Sequence, residues 1–160
     1  MLLIVVRHGE AVRKSSGVPD ENRGLTEAGK FDLRNNLILS KEIAGPKLDL
    51  ILSSPALRAV ESAEIAKQVF GLTEFKVDDS LGSEGTPYEI FESLTKYPGL
   101  NHVLLVSHQP LVSQLIAGLL SWNEKRFAFS PGSIAIIQLR ELALSSEGVL
   151  LSLTTPHLSS

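Results

Sequence analysis

The chain has 160 residues, a formal net charge of -3, 43% hydrophobic and 21% charged residues, and no cysteine. That length suits one domain, residues 1–160, with a core that needs no covalent staples. The missing cysteine excludes a disulfide framework, a thiolate nucleophile and a zinc–thiolate site, and the mild acidity argues against a general nucleic-acid binder. The apolar start meets Arg7 too soon, with no basic segment before it, to be a signal peptide. No apolar run has the length of a membrane span, so a cytoplasmic protein without membrane attachment is expected.

The first element is Leu2-Leu3-Ile4-Val5-Val6, five apolar residues without a break, which stop at Arg7-His8-Gly9-Glu10. Such a run reads as a strand buried on both faces, as in a parallel sheet. Residues 11–22 are rich in Lys, Ser, Gly, Pro and Asp and read as a surface loop. Thr26 is a good N-cap and Glu27 complements the dipole of a helix over about 27–43. Its expected core contacts are Phe31, Leu33, Leu37 and Ile38, and Gly45-Pro46 ends it. A short strand follows at 48–52. Pro55 then fits the first position of a helix running to about Phe70, with Ser54 as its cap, which puts Arg58 in the first turn.

A third strand is expected at 74–77, an acidic loop over 78–87 and a short helix over 88–96. His102-Val103-Leu104-Leu105-Val106 is another unbroken apolar strand and ends in Ser107-His108-Gln109-Pro110, where a further helix starts and runs to about Leu120. After a connection over 122–132, strands at 133–139 and 148–153 are expected, paired as a hairpin through Ser145-Ser146-Glu147-Gly148. Strands alternating with helices argue an α/β fold with a mainly parallel sheet.

Three apolar strands therefore end alike: in Arg7-His8-Gly9, in Ser53-Ser54-Pro55 with Arg58 a turn later, and in Ser107-His108. In a parallel sheet these ends share one edge, the edge where such folds place ligands. Two helix N-termini lie there as well and favour an anion. Two Arg, two His and two helix starts suit a phosphate, whose oxygens accept paired guanidinium hydrogen bonds. The chain has no nucleophile-elbow serine and no Walker loop, and its four histidines show no metal-ligand spacing. A neutral imidazole can attack phosphorus and form a covalent intermediate. Neighbouring arginines oppose its protonation, and an acceptor such as the Gly9 carbonyl would hold one ring nitrogen so that the other is free.

At these residues the chain resembles the histidine phosphatase (phosphoglycerate mutase-like) superfamily. The resemblance runs in order through Arg7-His8-Gly9-Glu10, Leu25-Thr26-Glu27-Ala28-Gly29, Ser53-Ser54-Pro55-Ala56-Leu57-Arg58-Ala59 and Val106-Ser107-His108. Ser107-His108-Gln109-Pro110-Leu111-Val112, Phe129-Ser130-Pro131-Gly132-Ser133 and the short chain are similar to the small phosphohistidine phosphatases of the SixA type. The resemblance implies a three-layer α/β/α fold with a mainly parallel central sheet. It implies His8 as the nucleophile, with Arg7, Arg58 and His108 on the phosphoryl group, Arg23 as a further phosphate contact, and no metal or organic cofactor.

Family members acting on phosphate esters carry an acid after the third strand, and Glu84 is the residue in that region. The imidazole of a phosphohistidine leaves more readily than an alkoxide, so an acid matters less for it. The segment from Asp78 to Asn101 is short and must hold a helix. An open pocket follows, which suits a phosphohistidine on a signalling protein. A broad phosphomonoesterase acting on small phosphate esters, with Glu84 as acid, is the alternative enzyme. A mutase would need a more enclosed site, and a non-catalytic phosphate or phosphopeptide binder would not need a nucleophile. A monomer is expected. His102 and His157 read as structural or solvated, Trp122 as packing, and Lys125 and Arg126 as surface charges. Asp20 and Glu21 are within reach of Arg23, and Glu10 adjoins the pocket without an assigned role.

Overall fold

The computed structural model describes residues 1–123, 128–143 and 147–156. Six strands, β1 (Leu2–Arg7), β2 (Leu50–Ser53), β3 (Lys76–Val77), β4 (His102–Ser107), β5 (Ile134–Gln138) and β6 (Val149–Thr154), form one sheet in the order β3-β2-β4-β1-β5-β6. The strands β3, β2, β4 and β1 are parallel, whereas β5 runs antiparallel to β1 and β6 antiparallel to β5. The expected α/β fold with a mainly parallel sheet is the one observed. The turn region expected between β5 and β6 lies partly outside the described residues, as do Lys125, Arg126 and His157.

The helices divide between the two faces. α1 (Glu27–Ala44) and α2 (Leu57–Phe70) bury Leu33, Leu37, Ala63 and Phe70 against Ile4, Val6, Ile51, Leu104 and Val106. α3 (Pro87–Leu94) and α4 (Leu111–Leu120) bury Ile90, Leu94, Leu115 and Ile116 against Leu3, Val5, Leu52, Val103 and Leu105. Both faces of β1 and β4 are thus covered, which is why their sequences are continuous apolar runs without a polar alternation. Among the described residues no helix is long and apolar enough to cross a membrane.

Several local expectations need correction. Phe31 and Ile38 of α1 are 66% and 45% exposed, whereas Leu33 and Leu37 are fully buried. The buried stripe of α1 is Gly29, Leu33, Asn36, Leu37, Ser40 and Ala44. At 3.6 residues per turn, Phe31 and Ile38 fall on the opposite side of the helix, and hydrophobicity alone misplaced them. α2 starts at Leu57 with Ala56 at its N-cap and no side-chain cap, two residues later than the Pro55 start and Ser54 cap. The Ser54 N–H still donates to the Val106 carbonyl at 2.9 Å. The chain is therefore extended at Ser54 and turns only afterwards. β3 is two residues of exposed edge, shorter than expected. α3 begins at Pro87 behind a full capping box between Thr86 and Glu89.

The three strand ends do share one edge. Arg7 is level with Ser107, and Ser53 with Val106. The loop that follows β1 is pinned by an isolated bridge between Ala11 and Leu25 and by the Val12 N–H on the Gly24 carbonyl at 2.9 Å. Within it, Asp20–Asn22 forms a single 3₁₀ turn. This strap, residues 11–25, lies across the carboxyl edge of the sheet.

Candidate functional site

Leu25-Thr26-Glu27-Ala28-Gly29 joins the strap to α1. Thr26 caps α1 by accepting from the Gly29 N–H at 2.9 Å, and its own N–H donates to the Glu10 carbonyl at 2.9 Å. A Cβ on Gly29 would lie 2.3 Å from that Glu10 oxygen, and one on Gly9 would lie 2.9 Å from the Gly29 oxygen. The first turn of α1 can therefore rest on the end of β1 only with glycine at both contacts. Glu10, exposed, accepts from the Thr26 hydroxyl at 3.1 Å and braces the same junction.

This packing fixes His8. The residue is 8% exposed. Nδ1 lies 2.7 Å from the Gly9 carbonyl and Nε2 lies 3.2 Å from Arg58 Nε. A carbonyl can only accept and a guanidinium can only donate. Both constraints demand the same neutral tautomer, with the proton on Nδ1 and the lone pair on Nε2. Burial, opposed by the Gly9 hydrogen bond but aided by Arg58, Arg7 and His108, lowers the pKa of His8 from 6.5 to about 4. The ring is thus neutral at pH 7 with its lone pair facing the cations.

Those cations come from separate elements. Arg7, at the end of β1, donates from Nη1 to the Phe129 carbonyl at 2.7 Å. Its Nε is buried without a hydrogen-bond partner among the described residues. A buried N–H left empty is costly, so this donor marks where an acceptor is wanted. Arg58, in the first turn of α2 and 8% exposed, donates from Nη1 to the Asp20 carbonyl at 2.8 Å and from Nη2 to Asp20 Oδ2 at 3.1 Å. Ser62, one turn further along α2, accepts from the Gly9 N–H at 3.1 Å and donates to the Arg58 carbonyl at 2.7 Å. His108, after β4, lies in the same electrostatic cluster. Its pKa is lowered by burial and by Arg58 and Arg7, against an opposite pull from Asp20.

Arg7, His8, Gly9, Arg58 and His108 are therefore brought together, as expected. Arg23 reaches the cluster through Asp20, donating from Nε to Asp20 Oδ1 at 2.9 Å and from Nη1 to the Val12 carbonyl at 2.7 Å. Glu84 is exposed and lines a second cleft with Asp78, Asp79, Glu89, Glu92 and Lys96, a lining that includes none of Arg7, His8, Arg58 and His108. Among the described residues no group of three His, Cys, Asp or Glu side chains could hold a metal ion. The residue that sequence reasoning missed is Asp20 as a partner of Arg58. Its spacing from Arg23 was visible, but the 38-residue separation from Arg58 gave no signal.

A neutral buried imidazole, its lone pair turned toward guanidinium groups at the carboxyl edge of a parallel sheet, is an arrangement able to hold a phosphoryl-sized anion beside a nitrogen with a free lone pair. The chain belongs to the histidine phosphatase superfamily (branch 1), whose sequence model matches residues 3–83. Within it the chain is SixA-like. It is 31% identical to the phosphohistidine phosphatase SixA homolog of Haemophilus influenzae over 84% of this chain and 86% of that protein. It is 30% identical to phosphohistidine phosphatase SixA of Escherichia coli, covering 88% and 87%. A solved structure of the protein histidine phosphatase SixA complexed with tungstate superposes with a TM-score of 0.83 at 26% identity, covering 98% of this chain and 97% of that one.

Proposed function

We propose that residues 1–160 form one phosphatase domain that removes the phosphoryl group from a phosphohistidine on a signalling protein, through a phosphohistidine intermediate on His8. The observation that carries this reading is the pair of constraints on His8. The Gly9 carbonyl takes Nδ1–H and leaves the Nε2 lone pair 3.2 Å from the Arg58 N–H. In this reading, phosphorus enters between Nε2 and Arg58. The nitrogen lone pair forms the new N–P bond as the bond to the leaving imidazole breaks. Arg7, Arg58 and His108 hold the phosphoryl oxygens, with Arg23 at the rim. At an effective dielectric near 20 and about 4 Å separation, each guanidinium–oxyanion pair contributes about 4 kcal/mol before desolvation. Water then attacks phosphorus and returns His8 to its neutral form. No cofactor takes part in this scheme.

A phosphoprotein substrate is supported by the SixA relatives and by the short segment between β3 and β4, which holds one 3₁₀ turn and α3. The second reading is a broad phosphomonoesterase acting on small phosphate esters with Glu84 as proton donor, favoured only by the place of Glu84 after β3. The test is to incubate the protein with a labelled phosphohistidine protein and, separately, with an aryl phosphate. Acid-labile label on His8 and much faster turnover of the phosphohistidine protein are expected. No label from either donor would overturn the enzyme reading, and far faster turnover of a small ester would overturn the substrate assignment.

A further inference from the structure

We propose that Asp20 is a positioning residue of the phosphoryl site: it clamps the Nη end of Arg58 so that the Nε edge faces His8, and it ties Arg23 to the same anchor. The proposal rests on the reading of Arg58 as a phosphoryl ligand.

Asp20 engages Arg58 twice, once through its main-chain carbonyl at 2.8 Å and once through Oδ2 at 3.1 Å. Its other carboxylate oxygen takes Arg23 Nε at 2.9 Å, with Lys14 Nζ at 3.4 Å. A guanidinium has five N–H donors in one plane. Among the described residues Asp20 takes two of those of Arg58, at Nη1 and Nη2, and His8 takes the one at Nε. Holding the Nη end sets the plane of the fork. The Nε edge and a second Nη2 proton are then left on the His8 side, where a phosphoryl oxygen would bind side-on. No displacement of Asp20 is required. Without the carboxylate, Arg58 would keep only its bonds to the Asp20 main-chain carbonyl and the neutral His8 ring and lose its charged anchor.

Asp20 is an anion near an anion site, so repulsion must be weighed against positioning. Burial pushes its pKa upward, but Arg58 and the hydrogen bonds from Arg23 and Lys14 outweigh that and hold it below 3.8. It is charged at working pH, yet it is matched by two further cations and its side chain is 41% exposed. Solvent and counter-charges therefore screen its repulsion, whereas the fixed orientation of Arg58 is kept in full. Positioning outweighs repulsion.

The test is a double-mutant cycle between Asp20→Asn and Arg58→Lys in the full chain. It reads orthovanadate affinity by calorimetry, together with kcat and KM on an aryl phosphate. Asp20→Asn is expected to weaken orthovanadate about tenfold and to lower kcat by a similar factor, with a smaller change in KM, because a preorganised donor acts mainly in the transition state. In the Arg58→Lys background, which lacks the fork, the orthovanadate loss should shrink to about twofold or less, the signature of residues acting as a pair. Equal losses in both backgrounds would mean a purely structural strap and would overturn the proposal. So would tighter anion binding in Asp20→Asn, which would make the carboxylate a competitor, or no change at all. Asp20→Glu keeps the charge but displaces it, is expected to give an intermediate loss, and replaces Asp20→Asn in the cycle if that variant fails to fold. Absence of phosphoenzyme in the wild type would defeat the phosphatase reading alone, since orthovanadate binding still reads the coupling. A wild type that binds no orthovanadate would defeat both.

Discussion

The carboxyl edge of the sheet carries two regions of opposite charge. Around the ends of β1 and β4 and the start of α2 lie Arg7, His8, Arg58 and His108. Beyond β3 lie Asp78, Asp79, Glu84, Glu89 and Glu92, with Lys96 the one cation among the described residues that line that cleft. Density of charge does not distinguish them; the range of their contacts does. In the acidic region, Asp78 accepts from Ser80 N and Ser93 Oγ, and Glu89 closes the capping box of α3. Those acids serve local structure. In the cationic region, Arg7 reaches Phe129 across 122 residues, Arg58 reaches His8 across 50, and the ring they enclose is buried. Hydrogen bonds that gather distant segments around a neutral ring are costly in chain entropy, and they set the cationic region apart as the candidate site.

The largest break in this comparison is His8→Ala. It should abolish phosphoenzyme formation and lower turnover by at least about a thousandfold, since a covalent path cannot proceed without its nucleophile. Hydrolysis at the normal rate would overturn the mechanism. Arg58→Lys keeps the charge and removes the planar fork, and should cost about a hundredfold in single-turnover phosphorylation of His8. A loss under about threefold would make Arg58 a bystander.

The third effect concerns pH. In the proposed mechanism neutral His8 is the nucleophile, and its pKa is lowered to about 4. The acid limb of the phosphorylation rate should fall near pH 4 and not near 6.5, so the rate at pH 5.5 should stay within about twofold of that at pH 7. Stability follows the same sign. The folded pKa lies below the unfolded value near 6.5, so the contribution of a neutral buried His8 is complete above pH 6.5 and is lost as pH falls through 4. Urea midpoints across that window should fall less steeply in His8→Gln than in the wild type.

The smallest effect is expected in the acidic region. Glu84→Gln should change phosphohistidine turnover by less than about twofold. A loss of about a hundredfold confined to phosphate esters would assign it the proton-donor role and would join the two regions into one site.

Much of this was legible in the chain itself, for stated physical reasons. Runs such as Leu3-Ile4-Val5-Val6 and Val103-Leu104-Leu105-Val106 read as strands buried on both faces, and the polar residues just past them share an edge once the strands are parallel. That reasoning placed His8, Arg58 and His108 together. It failed where one residue joins a near partner to a distant one, as Asp20 does with Arg23 and Arg58. It also failed where the decision rests on a few degrees of helix rotation, as for Phe31 and Ile38. The antiparallel entry of β5 beside β1 was hidden for a similar reason, because a buried strand reads the same in either direction.

The hydroxyl of Ser62 bears further on how the site tolerates motion. It receives the N–H of the residue after the imidazole and gives its own proton to the carbonyl of Arg58. The main chains that carry the imidazole and the guanidinium are thus joined through one oxygen atom. His8 itself is tied to the sheet by its N–H on the Ser107 carbonyl at 3.0 Å, so this oxygen fixes α2 against the end of β1. Loss of that one hydroxyl, as in Ser62→Ala, would therefore loosen the helix that carries Arg58 from the strand that carries His8.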